Sequence, residues 1–339
     1  MTDGRRAYIG TFTTAGGPGI VTADVDPHSG APTVLSSLDD VPDPSYLALS
    51  PDGGTLYAVS ETSEGAVAAY RLGGDRPQQA GPAVRVGGGP THLGLFAGHV
   101  LTADYGSGSV TAVPLRPDGA LAGNASGVLR HTGSGPRPDR QREPHAHQVQ
   151  SDPSGRWAVS VDLGTDSVRV CTLADGSPVL HREIALAPGS GPRHLAFHPD
   201  GTRAYVVHEL SPTVTACRWD ADGGALTPLT AVGVLPGAPA GDAYPSGVAV
   251  SSDGRFVWTA TRGEDVLSVL AVEEEGLRLV TTVDCGGHWP RALTAHGRHL
   301  YVANERSGDV TWFTVDPDTG VPQRAGSVEV PAASCVIIG

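Results

Sequence analysis

The sequence predicts an all-β fold: a single domain over residues 1–339 forming a seven-bladed β-propeller with four-stranded blades. Three observations carry this. A hairpin frame of two short alternating strands recurs seven times, spaced by about 43 to 58 residues. A further strand, usually opened by proline, stands in front of six of the seven. The C-terminal segment 331–338 repeats the pattern of the strand missing before the first hairpin. Repeats of this length, each a small antiparallel unit unable to cover its own apolar face, are the signature of a propeller.

The hairpins open at Tyr8-Ile9-Gly10-Thr11-Phe12, Tyr57-Ala58-Val59-Ser60-Glu61, Leu101-Thr102-Ala103-Asp104-Tyr105 and Val159-Ser160-Val161-Asp162-Leu163. They continue at Tyr205-Val206-Val207-His208-Glu209, Trp258-Thr259-Ala260-Thr261-Arg262 and Tyr301-Val302-Ala303-Asn304-Glu305. A polar turn and a second alternating strand follow each, as in Asp309-Val310-Thr311-Trp312-Phe313. The strands in front begin at Pro44, Pro90, Ala146, Pro192, Pro245 and Pro290. Proline is tolerated there because the first residue of a strand needs no ladder donor. A fourth, outer strand follows each hairpin, as in Pro228-Leu229-Thr230-Ala231-Val232. The last strand and the first hairpin are expected to share one blade, which closes the ring and removes two open sheet edges.

Composition fits this reading and excludes several functions. The 46 glycines and 28 prolines are spread along the chain, as many turns require. A net charge of −13 argues against a nucleic-acid surface, which needs a basic face. All 23 basic residues are arginine, so no lysine can form a Schiff base or act as a base. Cys171, Cys217, Cys285 and Cys335 form no CxxC pair, and Cys171 and Cys217 read as small buried side chains on strands. Residues 1–6 are polar and no apolar run is long enough to span a membrane. The expectation is a soluble cytoplasmic protein, monomeric or weakly homo-oligomeric, with no cofactor, metal, nucleic-acid or membrane partner.

One segment, residues 129–143, breaks the rhythm. Its arginines, Arg137, Arg140 and Arg142, either lie in solvent or form an anion-attracting lip over the channel mouth.

In a propeller the innermost strand lines the central channel. Its first residues and the last residue of the next strand face the same end. The first set reads Ser45, Thr91, His147, Arg193, Ser246, Arg291 and, for the closing blade, Ala332. The second reads Glu61, Tyr105, Leu163, Glu209, Arg262, Glu305 and Phe12. Consecutive blades thus contribute His147, then Arg193 with Glu209, then Arg262, followed by Arg291 with Glu305. Such pairs can simply bridge blades in a wet channel. Converging at one mouth, they can also do chemistry. Arginine binds carboxylate or phosphate in a bidentate fork and stabilises an oxyanion. Histidine titrates near neutrality and exchanges protons. Glutamate orients an arginine or serves as a second acid or base. No GxSxG elbow, HExxH or acidic metal loop is present, and His145 with His147 alone make a weak metal signal.

These motifs together resemble the 6-phosphogluconolactonase family of seven-bladed propellers, over essentially the whole chain. Fungal carboxymuconate-lactonising enzymes are similar. The resemblance is carried by Gly133-Ser134-Gly135-Pro136, Pro144-His145-Ala146-His147, Gly191-Pro192-Arg193-His194, His208-Glu209-Leu210, Thr261-Arg262-Gly263 and Trp289-Pro290-Arg291. It implies a metal-independent lactonase whose active-site residues are His147, Arg193, Glu209 and Arg262. His208 and Thr261 stand where the family usually has asparagine, and His208 would add a proton donor at the mouth.

The expected reaction is hydrolysis of a sugar-type lactone, with 6-phosphogluconolactone the named substrate and a small anionic lactone or carboxylate as ligand. Tyr46, His92, Tyr105 and His194 are candidates for binding it, as are His208, Tyr244, Trp289, Arg291 and Glu305. Two other classes use the same residues differently: a cycloisomerase or cyclase acting on an unsaturated acid, and a non-catalytic propeller that binds partners through its rims.

Overall fold

The computed structural model describes residues 5–339; the first four residues of the polar N-terminal stretch lie outside it. The described residues form seven antiparallel sheets arranged as a propeller. Blade 1 pairs Ala333–Ile338 with Arg5–Thr11, followed by Ile20–Val25 and Pro32–Leu38, so the C-terminal strand is innermost and closes the ring. Blades 2 to 7 each run outward in chain order, from innermost strands Leu47–Leu49, Pro90–Phe96, Ala146–Ser151, Pro192–Phe197, Tyr244–Val250 and Pro290–His296.

Several boundaries differ from the sequence reading, three of them by more than a residue or two or with a local cause. The innermost strand of blade 2 starts at Leu47 rather than Pro44, because Asp43 takes a left-handed turn (φ 47°) and its carboxylate is held by Thr13 and Thr14. The outer strand of blade 2 is split into Gln78–Gln79 and Val84–Arg85 around Gly81 and Pro82, where proline offers no ladder donor. Leu129 and Arg130 belong to the outer strand Gly127–Arg130 of blade 3, so the irregular segment begins at residue 131.

Apolar burial is divided into seven clusters, each wedged between two neighbouring blades. Ile9 and Val336 of blade 1 pack against Tyr301 and Val310 of blade 7, and Tyr8 with Cys335 packs against Leu47 and Leu56 of blade 2. Aromatics add a polar latch to the next blade: buried Tyr57, Trp258 and Tyr301 and half-buried Trp157 donate to the carbonyls of Gly119, Gly320, Gly30 and Ala221 respectively. All four cysteines are unpaired and buried, and burial pushes the Cys171 and Cys217 thiols up to about 12.

The mouth of the channel is made by one repeated backbone device. Six innermost strands carry a register shift near their start. In blade 5, Pro192 pairs with His208 and His194 with Val207, leaving Arg193 unpaired. The residues left over in blades 3, 4, 7 and 1 are Thr91, His147, Arg291 and Ser334. A bulge bends the strand and re-aims the extra side chain, here into the channel. Two residues upstream the backbone is left-handed at Asp43, Gly89, Gly191, Trp289 and Ala332, with φ between 47° and 64°. The carbonyl of each accepts the amide of Glu61, Tyr105, Glu209, Glu305 and Phe12 respectively. The position in blade 1 is therefore Ser334, two residues beyond the Ala332 expected from the sequence; Ala332 occupies the turn.

Candidate active site

Glu209 is the hub of the mouth. Its Oε2 accepts from Arg193 Nε at 3.0 Å and from Arg262 Nη2 at 2.7 Å. Its Oε1 accepts from Arg140 Nη2 at 2.6 Å. Backbone carbonyls fix the two inner guanidiniums from behind: Arg193 Nη1 donates to Ser246 O at 2.6 Å, and Arg262 Nε to Tyr244 O at 3.1 Å. Burial alone would push the Glu209 carboxyl up, but Arg262, Arg193 and Arg140 outweigh it and hold the group well below the usual carboxylate range. Arg193 is also pushed down, to about 9, first by burial and then by Arg262, with Glu209 opposing. Removing either sign would leave the other as an uncompensated buried charge.

A second ionic group completes the ring. Arg291 donates to Glu305 at 3.3 Å and to Glu61 at 3.5 Å, and its guanidinium lies 4.7 Å from the Phe12 ring centroid. Ser45 hydrogen-bonds Glu61. Burial pushes the Glu61 carboxyl up, against the pull of Arg291 and Ser45. Arg193, Arg291, Glu61, His147, Ser45 and Ser334 line one narrow part of the channel, of about 10 Å³.

Beneath these charges sits a layer of rings. His147 lies 5.3 Å from His194, His194 5.4 Å from His92, and His92 3.9 Å from Tyr46, centroid to centroid. Tyr105 stacks on His145 at 4.3 Å and meets His147 edge-on at 5.6 Å. Nδ1 of His147, Nδ1 of His92 and Nε2 of His194 are buried without a protein hydrogen-bond partner. Burial first, and Arg193 next, push all three imidazoles down, His92 to about 3. They are neutral at pH 7. Below this layer the channel opens into a cavity of about 650 Å³ at the far end.

The histidine layer has a consequence for stability. In acid the unfolded chain takes up protons from about pH 6.5, the ordinary histidine value, while the buried rings refuse them. Stability is thus complete above that value and falls as the pH drops, by up to about 1.4 kcal/mol per pH unit for each ring. Glu61, whose carboxyl is raised, offsets part of the loss at the lower end. The urea unfolding midpoint should fall between pH 7 and pH 5, and less steeply in His92→Phe. A flat wild-type profile over that range would contradict the neutral assignment.

Among the sequence candidates, the structure brings Arg193, Glu209 and Arg262 into direct contact and sets His147 beside Arg193 on the channel wall. Tyr105, Tyr244 and Trp289 belong to the mouth: Arg140 reaches Tyr105 Oη at 3.4 Å, Arg262 lies 5.7 Å from the Trp289 ring, and Tyr244 lies 6.2 Å from it. Tyr46, His92 and His194 form the layer beneath.

His208 is a correction. It is not at the mouth. Its ring is 1 % exposed and bonds Thr215 Oγ1 at 2.7 Å, bridging two strands inside blade 5. The same link, between residues seven apart, joins Asn304 to Thr311 in blade 7 and Asp104 to Thr111 in blade 3. The last residue of each of these strands points into the blade because side chains alternate, so His208 stands where blade 7 has a structural amide. Thr261 is likewise fully buried. His145 and His147 do not act as one face, because the bulge at His147 breaks the alternation.

Two residues were not singled out by the sequence. Glu61 appeared only as one of seven rim positions. Arg140 was one of three loop arginines with nothing to choose between them. The loop itself is firmly seated: Gln141 is fully buried and donates to Leu163 O and Asp166 Oδ1, each at 2.8 Å, and Arg137 reaches Leu210 O. Among the described residues no group of three or more His, Cys, Asp or Glu is placed to hold a metal, and no helix is long and apolar enough to cross a membrane.

Convergent arginines beside a neutral histidine have the chemistry to hold an anion and to exchange a proton with it. The family described as lactonase, 7-bladed beta-propeller, matches residues 6–338, and the chain belongs to that family. It is 32% identical to the 6-phosphogluconolactonase of Bacillus subtilis (strain 168), over 97% of both chains. The periplasmic gluconolactonase of Pseudomonas aeruginosa superposes with a TM-score of 0.91 at 31% identity, covering 99% of each chain. A Lactobacillus plantarum protein of known structure superposes with a TM-score of 0.92 at 29% identity, again over 99% of each.

Proposed function

We propose that this protein hydrolyses the lactone of a sugar acid, 6-phosphogluconolactone to 6-phosphogluconate, at the channel mouth. The observation that carries the reading is the grip of Glu209 on Arg193 and Arg262 beside an unpartnered His147 nitrogen. Membership of the lactonase family and the name of the Bacillus subtilis relative support it. The guanidiniums are fixed in advance by Glu209 and by backbone carbonyls, so they reorganise little as charge develops on the lactone carbonyl oxygen.

His147 takes a proton from water, whose oxygen adds to the carbonyl carbon. The oxyanion collapses, the ring C–O bond breaks, and the same imidazole returns the proton to the departing ring oxygen. Burial first, then Arg193 and Arg291, depress His147. An anionic substrate offsets that charge, so proton affinity rises as the reactants meet. A phosphorylated lactone does not cross membranes unaided, which places the proposed activity in the cytoplasm.

Purified protein should accelerate acid release from 6-phosphogluconolactone above the spontaneous rate. His147→Ala should lower kcat by about 10²- to 10⁴-fold, the usual worth of a positioned proton-transfer group. Wild-type turnover no faster than that of the variant would sink the proposal.

A further inference from the structure

We propose that Arg140 is the selectivity residue of this site: on substrate binding it leaves Glu209 and grips a phosphomonoester borne by the lactone. The inference rests on the lactonase reading above and adds to it the origin of the preference for a phosphorylated substrate.

Three arginines share Glu209, but not equivalently. Arg193 and Arg262 both use Oε2, are almost fully buried, and are tied to backbone carbonyls. Arg140 alone uses Oε1, and 34% of its side chain is exposed. When Arg140 departs, the carboxylate keeps two charged partners. Departure of either of the others would free a buried guanidinium. Arg140 is the one contact that Glu209 can release at small cost.

The segment that carries Arg140 does not depend on that contact. Gln141 is pinned to Leu163 and Asp166, Gly135 N donates to Gln141 O, and Arg137 N donates to Gln141 Oε1. The backbone is therefore held while the long side chain is free to swing. Its second contact, Tyr105 Oη at 3.4 Å, is weak, and Tyr105 stands beside His147. Arg140 thus hangs over the outer side of the reacting position, where a substituent pointing out of the channel would lie.

Charge decides which substituent. Four arginines (Arg140, Arg193, Arg262, Arg291) face three glutamates (Glu61, Glu209, Glu305) in the ring of ion pairs. A substrate carboxylate would replace Glu209 like for like, one charge for one. A phosphomonoester near neutrality carries close to two charges and three acceptor oxygens, so it outcompetes Oε1 and suits the planar fork of a guanidinium.

The test compares 6-phosphoglucono-δ-lactone with D-glucono-δ-lactone on the wild type, Arg140→Gln and Arg140→Lys. The wild type should prefer the phosphorylated lactone. Arg140→Gln should cut that preference, as a ratio of kcat/KM values, by about tenfold or more, the worth of one charged hydrogen bond. The loss should fall on KM rather than kcat, and Arg140→Lys should recover part of it. An equal loss on both lactones would overturn the inference and leave Arg140 as a residue that merely positions Glu209. A wild type that opens both lactones without preference would overturn it too, with lactone hydrolysis still standing. A wild type that opens neither would overturn this inference and the proposed function together.

Discussion

Glu209→Ala should destabilise the protein by about 3–5 kcal/mol, the cost of breaking a buried ion pair from one side. The substitution leaves Arg140, Arg193 and Arg262 around a space that held their common counter-charge. Arg193 cannot relax outward, because it is 3% exposed and held by Ser246 O. The measurement is the urea unfolding midpoint at pH 7. Glu209→Gln keeps an acceptor at Oε1 but loses the charge, so it should lie between wild type and alanine. Lactone turnover should fall about a hundredfold or more in Glu209→Ala, because the guanidiniums that would meet the oxyanion lose their alignment. An unfolding midpoint equal to that of the wild type would show that the three arginines do not depend on this carboxylate.

The second large effect concerns the ring. Deleting residues 331–339 removes the innermost strand of blade 1. Ala333, Cys335 and Val336 are buried there, and their loss would uncover faces of blades 2 and 7 as well as of their own blade. Two interblade hydrogen bonds go with them, Thr294 Oγ1 to Val336 O and Ser334 Oγ to Ser45 O. A buried valine is worth roughly 1.5–3 kcal/mol and the smaller alanine and cysteine less. With the strand ladder and the uncovered faces of three blades added, the loss is large against the stability of an ordinary domain, about 5–15 kcal/mol. The truncated chain should fail to show cooperative thermal unfolding. A circular permutant that joins residue 339 to residue 5 through a short linker and opens between two other blades should fold, because it keeps every strand. A truncated chain that melts as the wild type does would rule out closure as a source of stability.

The architecture was legible because it is periodic. The hairpin that ends in Glu209 and the one that ends in Glu305 share a frame that no single repeat would have shown. The pairing of Arg193 with Glu209 followed from antiparallel geometry alone. What the sequence hid was the bulge. Nothing in Pro192-Arg193-His194 shows that two residues there oppose one on the neighbouring strand, and counting by proline placed the closing position at Ala332 rather than Ser334. His208 was misplaced for a related reason: adjacency to Glu209 suggested a shared destination, whereas alternation sends neighbours to opposite sides. Arg140 was hidden differently. Its partner lies 69 residues away on another blade, and only the seating of Gln141 selects it over Arg137 and Arg142.

The bulge with its left-handed turn also bears on how such a mouth changes over time. The backbone hydrogen bond that holds each turn, from Glu209 N to Gly191 O or from Phe12 N to Ala332 O, involves no side chain. The sockets therefore keep their shape whatever residue fills them, as serine, threonine and arginine already do within this one chain. A new substrate can be met by exchanging single side chains around a fixed circle, without moving a strand. Chemistry becomes a matter of which residue stands at which point of the ring, and descendants of one scaffold can diverge in activity while their folds stay superimposable.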